Sequence, residues 1–157
     1  MGRLYTVSFE NVTISAAQDL FQIKGAAGKM LRIRRVWFGA TSTTLPTAQM
    51  LRLRMRFLGA TVTDGTGGTT PTPQRVDAGD AAASFTALAN NATTKASSSG
   101  TTNVIWQMGY HDFVPVKVDV PGWCPVGPDE SFVFELLSTV SGTIAFSGTV
   151  EVEEIGG

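Results

Sequence analysis

The sequence predicts an all-β fold: an antiparallel, jelly-roll-like β-sandwich with one long loop excursion. Three observations carry that reading. Apolar and polar residues alternate with period two in segment after segment, as half-buried strands require. The stretches between them are rich in Gly, Pro, Thr and Ser, the residues of turns. Sustained 3.6-residue periodicity is almost absent, which leaves a sandwich or barrel as the way to bury the strands. At 157 residues the chain fits a single domain able to bury a core without staples. An immunoglobulin-like sandwich is the alternative, although the single cysteine, Cys124, rules out the intersheet disulfide of the antibody version.

Taken in order, "LYTVSFENVTI" (4 to 14) alternates and is rich in β-branched residues, so it reads as a strand. "SAAQDLFQIKGAAGK" (15 to 29) is the best helical candidate. Ser15 and Gln18 have capping-box spacing, and Gly25 and Gly28 would end the helix. Its centre, "DLFQI", equally fits a short strand. Residues 30 to 40 and 50 to 59 are strands in which arginine alternates with apolar side chains. "NVIWQMGYH" (103 to 111), "FVPVKVDV" (113 to 120), "SFVFELLS" (131 to 138) and "TIAFSGTVEVEEI" (143 to 155) complete the set. Pro115 directs the 113 to 120 strand to a sheet edge, because it cannot donate to a ladder.

Residues 60 to 102 break the pattern. Loops longer than about 15 residues are uncommon in compact domains and are usually functional or disordered. This one, centred on 62 to 100, is too rich in Gly, Pro, Thr and Ser to form a core of its own. Val76, Phe85 and Leu88 are spaced along it as apolar anchors, which predicts an ordered excursion packed on the sandwich or on a second subunit. Its deletion is expected to leave the sandwich folded and to weaken association.

Composition narrows the function classes. Twelve Lys+Arg oppose 13 Asp+Glu, a net charge of −1, so no excess of positive charge favours nucleic acid or anionic membrane as a partner. No apolar run approaches the roughly 20 residues of a membrane span, and the first residues lack the pattern of a signal peptide. Synthesis in a reducing cytoplasm is the expectation.

Motifs for chemistry are sparse, and no catalytic residue, metal or cofactor is assigned. "DGTGGTT" (64 to 70) lacks the Lys-Ser/Thr of a phosphate-binding loop and reads as a mobile turn. Asp64, Asp77 and Asp80 match no EF-hand spacing and read as turn formers. His111 precedes Asp112 but has no nucleophile elbow to serve. Cys124, between Trp123 and Pro125, sits in a setting where thiols are inert. Glu151 and Glu153 share one strand face, which suits ion pairing better than glycosidase chemistry.

The arginines are the most informative residues. Alternation places Arg32 and Arg34 on a face with Met30, Val36 and Phe38, and sets Arg52, Arg54 and Arg56 opposite Leu51, Leu53, Met55 and Phe57. The connection from 41 to 49 is short enough for a hairpin, which would bring the two arginine faces side by side. Glu135, Glu151 and Glu153 are candidates to neutralise them through arginine's bidentate fork. The competing reading aims the arginines at a partner's acidic surface. On that reading Arg32, Arg34, Arg52, Arg54, Arg56, Val76, Phe85 and Leu88 are the partner-contact residues. Trp37, Trp106, Trp123 and Tyr110 are possible stacking platforms for a carbohydrate or receptor, with core packing as their commoner fate.

Three pieces, "AQDLFQIK" (17 to 24), "GGTTPTPQRVDAGDAAASFTALANN" (67 to 91) and "GTVEVEEIGG" (148 to 157), carry a resemblance. They make the chain resemble a group of small proteins encoded by tailed bacteriophages and prophages, some of them jelly-roll head cement or decoration proteins. The resemblance implies a non-enzymatic virion structural protein on the capsid surface. Its partners would be the major capsid protein lattice and further copies of itself, as a homodimer or homotrimer. A nucleic acid, a membrane or a small-molecule ligand is not implied. The nearest alternatives are a tail or head-completion protein and a carbohydrate- or receptor-binding module.

Overall fold

The computed structural model describes residues 2–44, 47–120 and 125–156. Among these there is no helix. The strands are β1 (Arg3–Ile14), β2 (Gln18–Lys24), β3 (Met30–Ala40), β4 (Met50–Leu58), β5 (Val62–Thr63), β6 (Gln74–Arg75) and β7 (Thr86–Asn91). They continue with β8 (Ser97–Ser98), β9 (Thr102–His111), β10 (Val116–Asp119), β11 (Pro125–Val126), β12 (Ser131–Leu136) and β13 (Ile144–Ile155). A first sheet has the order β10-β3-β13-β1-β6, with β11 also on β3, and a second has the order β7-β2-β12-β4-β9.

These orders are those of a jelly roll. Taking the eight strands β1, β2, β3, β4, β9, β10, β12 and β13, the first pairs with the last, the second with the seventh, the third with the sixth and the fourth with the fifth. All four pairings are antiparallel. Such a ribbon of pairs, wound once, places alternate pairs in opposite sheets. β3 and β4 therefore lie in different sheets. The expected hairpin between them does not form, and the two arginine faces point away from each other on opposite sides of the sandwich. Pro115 does lead into an edge strand, β10.

The helix expected over 15 to 24 is instead the strand β2. Pairing with β12 skips Leu20 at a bulge, so Leu20 and Phe21 both enter the core, with Ile23 next. A bulge sets apolar side chains adjacent and erases the period-two signal. The intervening Asp19 and Gln22 are buried as well, because the excursion covers them. A second bulge, in β3 against Glu151 and Val152 of β13, corrects the predicted facing there. Beyond Arg34 the phase flips, and Val36 and Phe38 join Leu31 and Ile33 in the core while Arg35 and Trp37 turn outward.

Residues 62–100 are not an extended loop. They form the tip of the ribbon, between β4 and β9, and fold back on both sheets. β7 lengthens the second sheet beside β2, and β6 pairs with β1 at the edge of the first. Between them Phe85 is buried edge-on against Tyr5, ring centroids 5.6 Å apart. One open side of the sandwich is thus shut by the excursion. Its glycine-rich start is held rather than mobile: Thr66 bridges Thr94, and Thr69 bridges Ala89. A Cβ on Gly68 would run into the carbonyl oxygen of Ala89, so only glycine allows so close an approach. A small second core of Leu58, Val133 and Ala96, with Val62 packed against it, forms under the β5–β8 ribbon on the outer face of the second sheet.

The main core is aromatic-rich. Phe38 stacks on Phe146 at 5.0 Å and packs against Phe134 and Tyr110, joining both sheets through one side chain.

Candidate functional site

The outer face of the second sheet gathers charge under its own cover. β4 presents Arg52, Arg54 and Arg56 outward, and β12 places Glu135 opposite Arg54. Glu135 is fully buried and receives three cations. Arg54 Nε bonds Oε1, Arg56 Nε lies 3.1 Å from the same oxygen, and Lys95 Nζ lies 3.3 Å from Oε2. Arg56 also donates to the Ala96 carbonyl at 2.7 Å and lies 3.6 Å from Asp19 Oδ1. Asp19 Oδ2 in turn accepts the Ala96 N–H at 2.5 Å. Burial pushes the Asp19 carboxyl above its usual range, against the pull of the Ala96 amide and Arg56. Charges held this way fasten the excursion to the sheet. Arg54 and Arg56 are therefore held by the protein's own acids, the first of the two readings that the sequence offers for them. Gln22 and Lys24 add a second clamp on Asp64.

The outer face of the first sheet is open. Arg34 Nη1 meets Glu153 Oε2 at 2.9 Å, with Arg32 on the same oxygen at 3.7 Å, so β13 supplies the expected neutralising acid. Arg35 pairs with Asp119 at 2.9 Å and lies 5.4 Å from the centroid of Trp37. Next to Trp37 is a groove of about 680 Å³ walled by Trp37, Pro115 and Lys117, with Glu10, Ser147 and Thr149 along it. Pro115 packs directly over Gly39, which leaves it room, and β1 bulges between Phe9 and Val12 alongside the groove. Hydroxyls face it in pairs: Ser8 with Thr149 at 2.8 Å, and Ser147 with Thr41 at 3.3 Å.

The remaining predicted residues separate. Phe85 is core, Leu88 is half-buried on β7 across from Gln22, and Val76 is 58% exposed beside β1. Arg52 is exposed and has no ion pair among the described residues. Tyr110 is core, its hydroxyl pushed up to about 12 by burial, and Trp106 is half-buried against the core. Neither is a platform, whereas Trp37 lines the groove. Trp123 and Cys124 lie outside the described residues. His111 Nδ1 accepts the Phe113 N–H at 3.3 Å, and its ring lies 5.3 Å from that of Phe113. Asp77 accepts the Gly79 N–H, and Asp80 lies 3.8 Å from Arg3.

Sequence reasoning missed Asp19, Lys95 and Arg35. Asp19 lies in β2, in the segment that reads as the best helical candidate, where a charged residue raises no question. Arg35 was hidden by the bulge.

No protein-family model matches the chain, and no curated protein matches it. Among solved structures it is similar to a mutant VP2 protein of infectious bursal disease virus from T=1 particles, at 16% identity and TM-score 0.25, covering 99% of this chain and 40% of that one. A structure of the Gx strain of the same virus gives 17% identity and TM-score 0.24, with 99% and 41% covered. The chain spans about two fifths of the length of these viral chains. Such scores fall short of a shared fold, so the jelly roll rests on the strand order above.

Proposed function

We propose that this is a non-enzymatic virion structural protein, a cement or decoration protein that binds an assembled major capsid lattice on the particle surface and stabilises it. The observation that carries the reading is the asymmetry between the two sheet faces. One is covered over Arg56 and Glu135 by the protein's own excursion, and the charges under that cover are paired there. The other is open, mixed in charge and grooved beside Trp37, a surface built to meet something else. A protein that binds only the assembled lattice stabilises it by mass action. The resemblance to phage head proteins points to the same partner, and its longest piece, 67 to 91, spans β6, Phe85 and β7, the strip that shuts the sandwich.

Co-sedimentation with capsid shells tests this. The wild type pellets with shells and raises their resistance to heat. Trp37→Ala and Lys117→Glu weaken pelleting at least tenfold, while Arg54→Lys, on the covered face, leaves it unchanged where the protein stays folded. A wild type that remains in the supernatant contradicts the reading.

The groove favours one other reading. An indole beside paired hydroxyls suits the apolar face and hydroxyl rim of a sugar ring. Titration of Trp fluorescence with neutral oligosaccharides separates the two: saturable quenching lost in Trp37→Ala, with no shell binding, selects the carbohydrate module.

A further inference from the structure

A sheet edge is a row of unpaired backbone donors and acceptors, and proteins blunt such rows with short strands, proline, charge or cover. Three edges of this sandwich are blunted so. β10 is four residues long, follows Pro115 and carries Lys117 and Asp119. β6 has two residues. β7 is covered at Ala89 by Thr69.

The fourth edge, β9, is left bare. It runs ten residues, "TNVIWQMGYH", contains neither proline nor a carboxylate, lysine or arginine, and ends its sheet with no described strand on its outer side. Val104 and Met108 are 49% and 40% exposed on it. Met50, Phe113 and Val114, at 66%, 45% and 58%, extend the apolar surface at its end.

We propose that β9 pairs antiparallel with β9 of a second copy, about a two-fold axis at Met108. The register follows from the strand itself. Its pairing with β4 is regular from Trp106 to His111 and is interrupted at Ile105 by a bulge, so the regular run is centred near Met108. Placing the axis there sets Trp106 opposite Tyr110 and Gln107 opposite Gly109. No like charges meet at any position, which is what an isologous contact needs. The outer face supplies the complementarity. Arg52 lies beside Gly109 on β4, exposed and without an acidic partner among the described residues. Gly109 has no side chain of its own, and what lies over it is the far end of the flexible Met50 side chain; with that methyl turned aside, Arg52 reaches across Gly109 to the amide oxygen of Gln107 on the second copy. Arg52, without an ion pair among the described residues, and the glycine of this edge are thus neighbours for a reason. The inference stands apart from the capsid reading and holds for any function of the fold.

The test is a charge swap on the axis, read by light scattering and native mass spectrometry at micromolar concentration. The wild type is expected to be a dimer. Met108→Lys and Met108→Glu, each meeting itself across the axis, are expected to be monomers with unchanged far-ultraviolet circular dichroism. Their equimolar mixture is expected to form the mixed dimer. Arg52→Ala weakens the wild-type dimer, and Gln107→Glu tightens it, providing a second pair of probes that leaves the apolar residues untouched. A monomeric wild type overturns the proposal. So does an oligomer that neither charge variant dissociates, or a pair of monomers that does not recombine. β9 amides that become protected from exchange only on capsid shells would assign the edge to the lattice and overturn it equally.

Discussion

Glu135 occupies the centre of the covered face, fully buried with Arg54, Arg56 and Lys95 around it. Removing one member of a buried ionic group leaves the others uncompensated, which costs about 3–5 kcal/mol. Glu135→Ala is accordingly expected to lower unfolding free energy in urea by that order, and Arg56→Ala to do nearly the same. Arg52→Ala, on the same strand face but exposed, stays within about 0.5 kcal/mol. The sequence shows three equivalent arginines because alternation reports direction, not cover; what distinguishes them is the excursion lying over Arg56 and not over Arg52. Asp19 adds a pH signature. Its carboxyl is raised in the folded state from 3.8, so the folded chain favours the protonated form. The cost of ionising it is absent below 3.8 and grows as pH rises through the folded value. Asp19→Asn removes that cost, so its melting temperature relative to wild type is expected to be higher at neutral pH than below pH 3.8. A difference that does not change with pH would mean that Asp19 titrates as it does in the unfolded chain.

At the scale of elements, the excursion is the part whose nature the sequence concealed. Its strands are short, β7 excepted, and its Gly/Thr/Pro composition is that of a loop, because it gains order from the sheets it lies on. The anchors were legible: Phe85 was singled out and is core. Their meaning follows from the topology, which puts β7 next to β2. Phe85→Ala is expected to cost about 3–5 kcal/mol in urea unfolding. Joining Leu58 directly to Thr102, which face each other across β4 and β9, is geometrically easy as a hairpin. That deletion nevertheless removes Phe85, Ala87 and Ala89 from the core, uncovers Asp19 and Glu135 and opens the β1 and β2 edges. The shortened chain is expected to lose cooperative melting, the reverse of what loop composition alone suggests. The strands of the ribbon itself were nearly all readable, since most bury one face and keep period two, as β13 does along its whole length. β2 was not, because it is buried on both faces and bulged.

The whole molecule joins a jelly roll, one self-covered face, one open face and one open edge. The arrangement leaves two separate surfaces, the β9 edge proposed for a second copy and the Trp37 face proposed for a larger partner. Jelly-roll topology was legible as a class from strand number and turn chemistry. The face that stays open was not, since it depends on where the excursion lands. The proposed partner of the open face is a capsid lattice. Cryo-electron microscopy of particles from the source that makes this protein tests it most directly, with copy number read from the density. Ordered copies are expected at symmetric positions across the shell, with Trp37 and Arg34 turned toward the capsid and the excursion turned away. Density confined to the tail or a single vertex, or copies seated through the excursion, would contradict it.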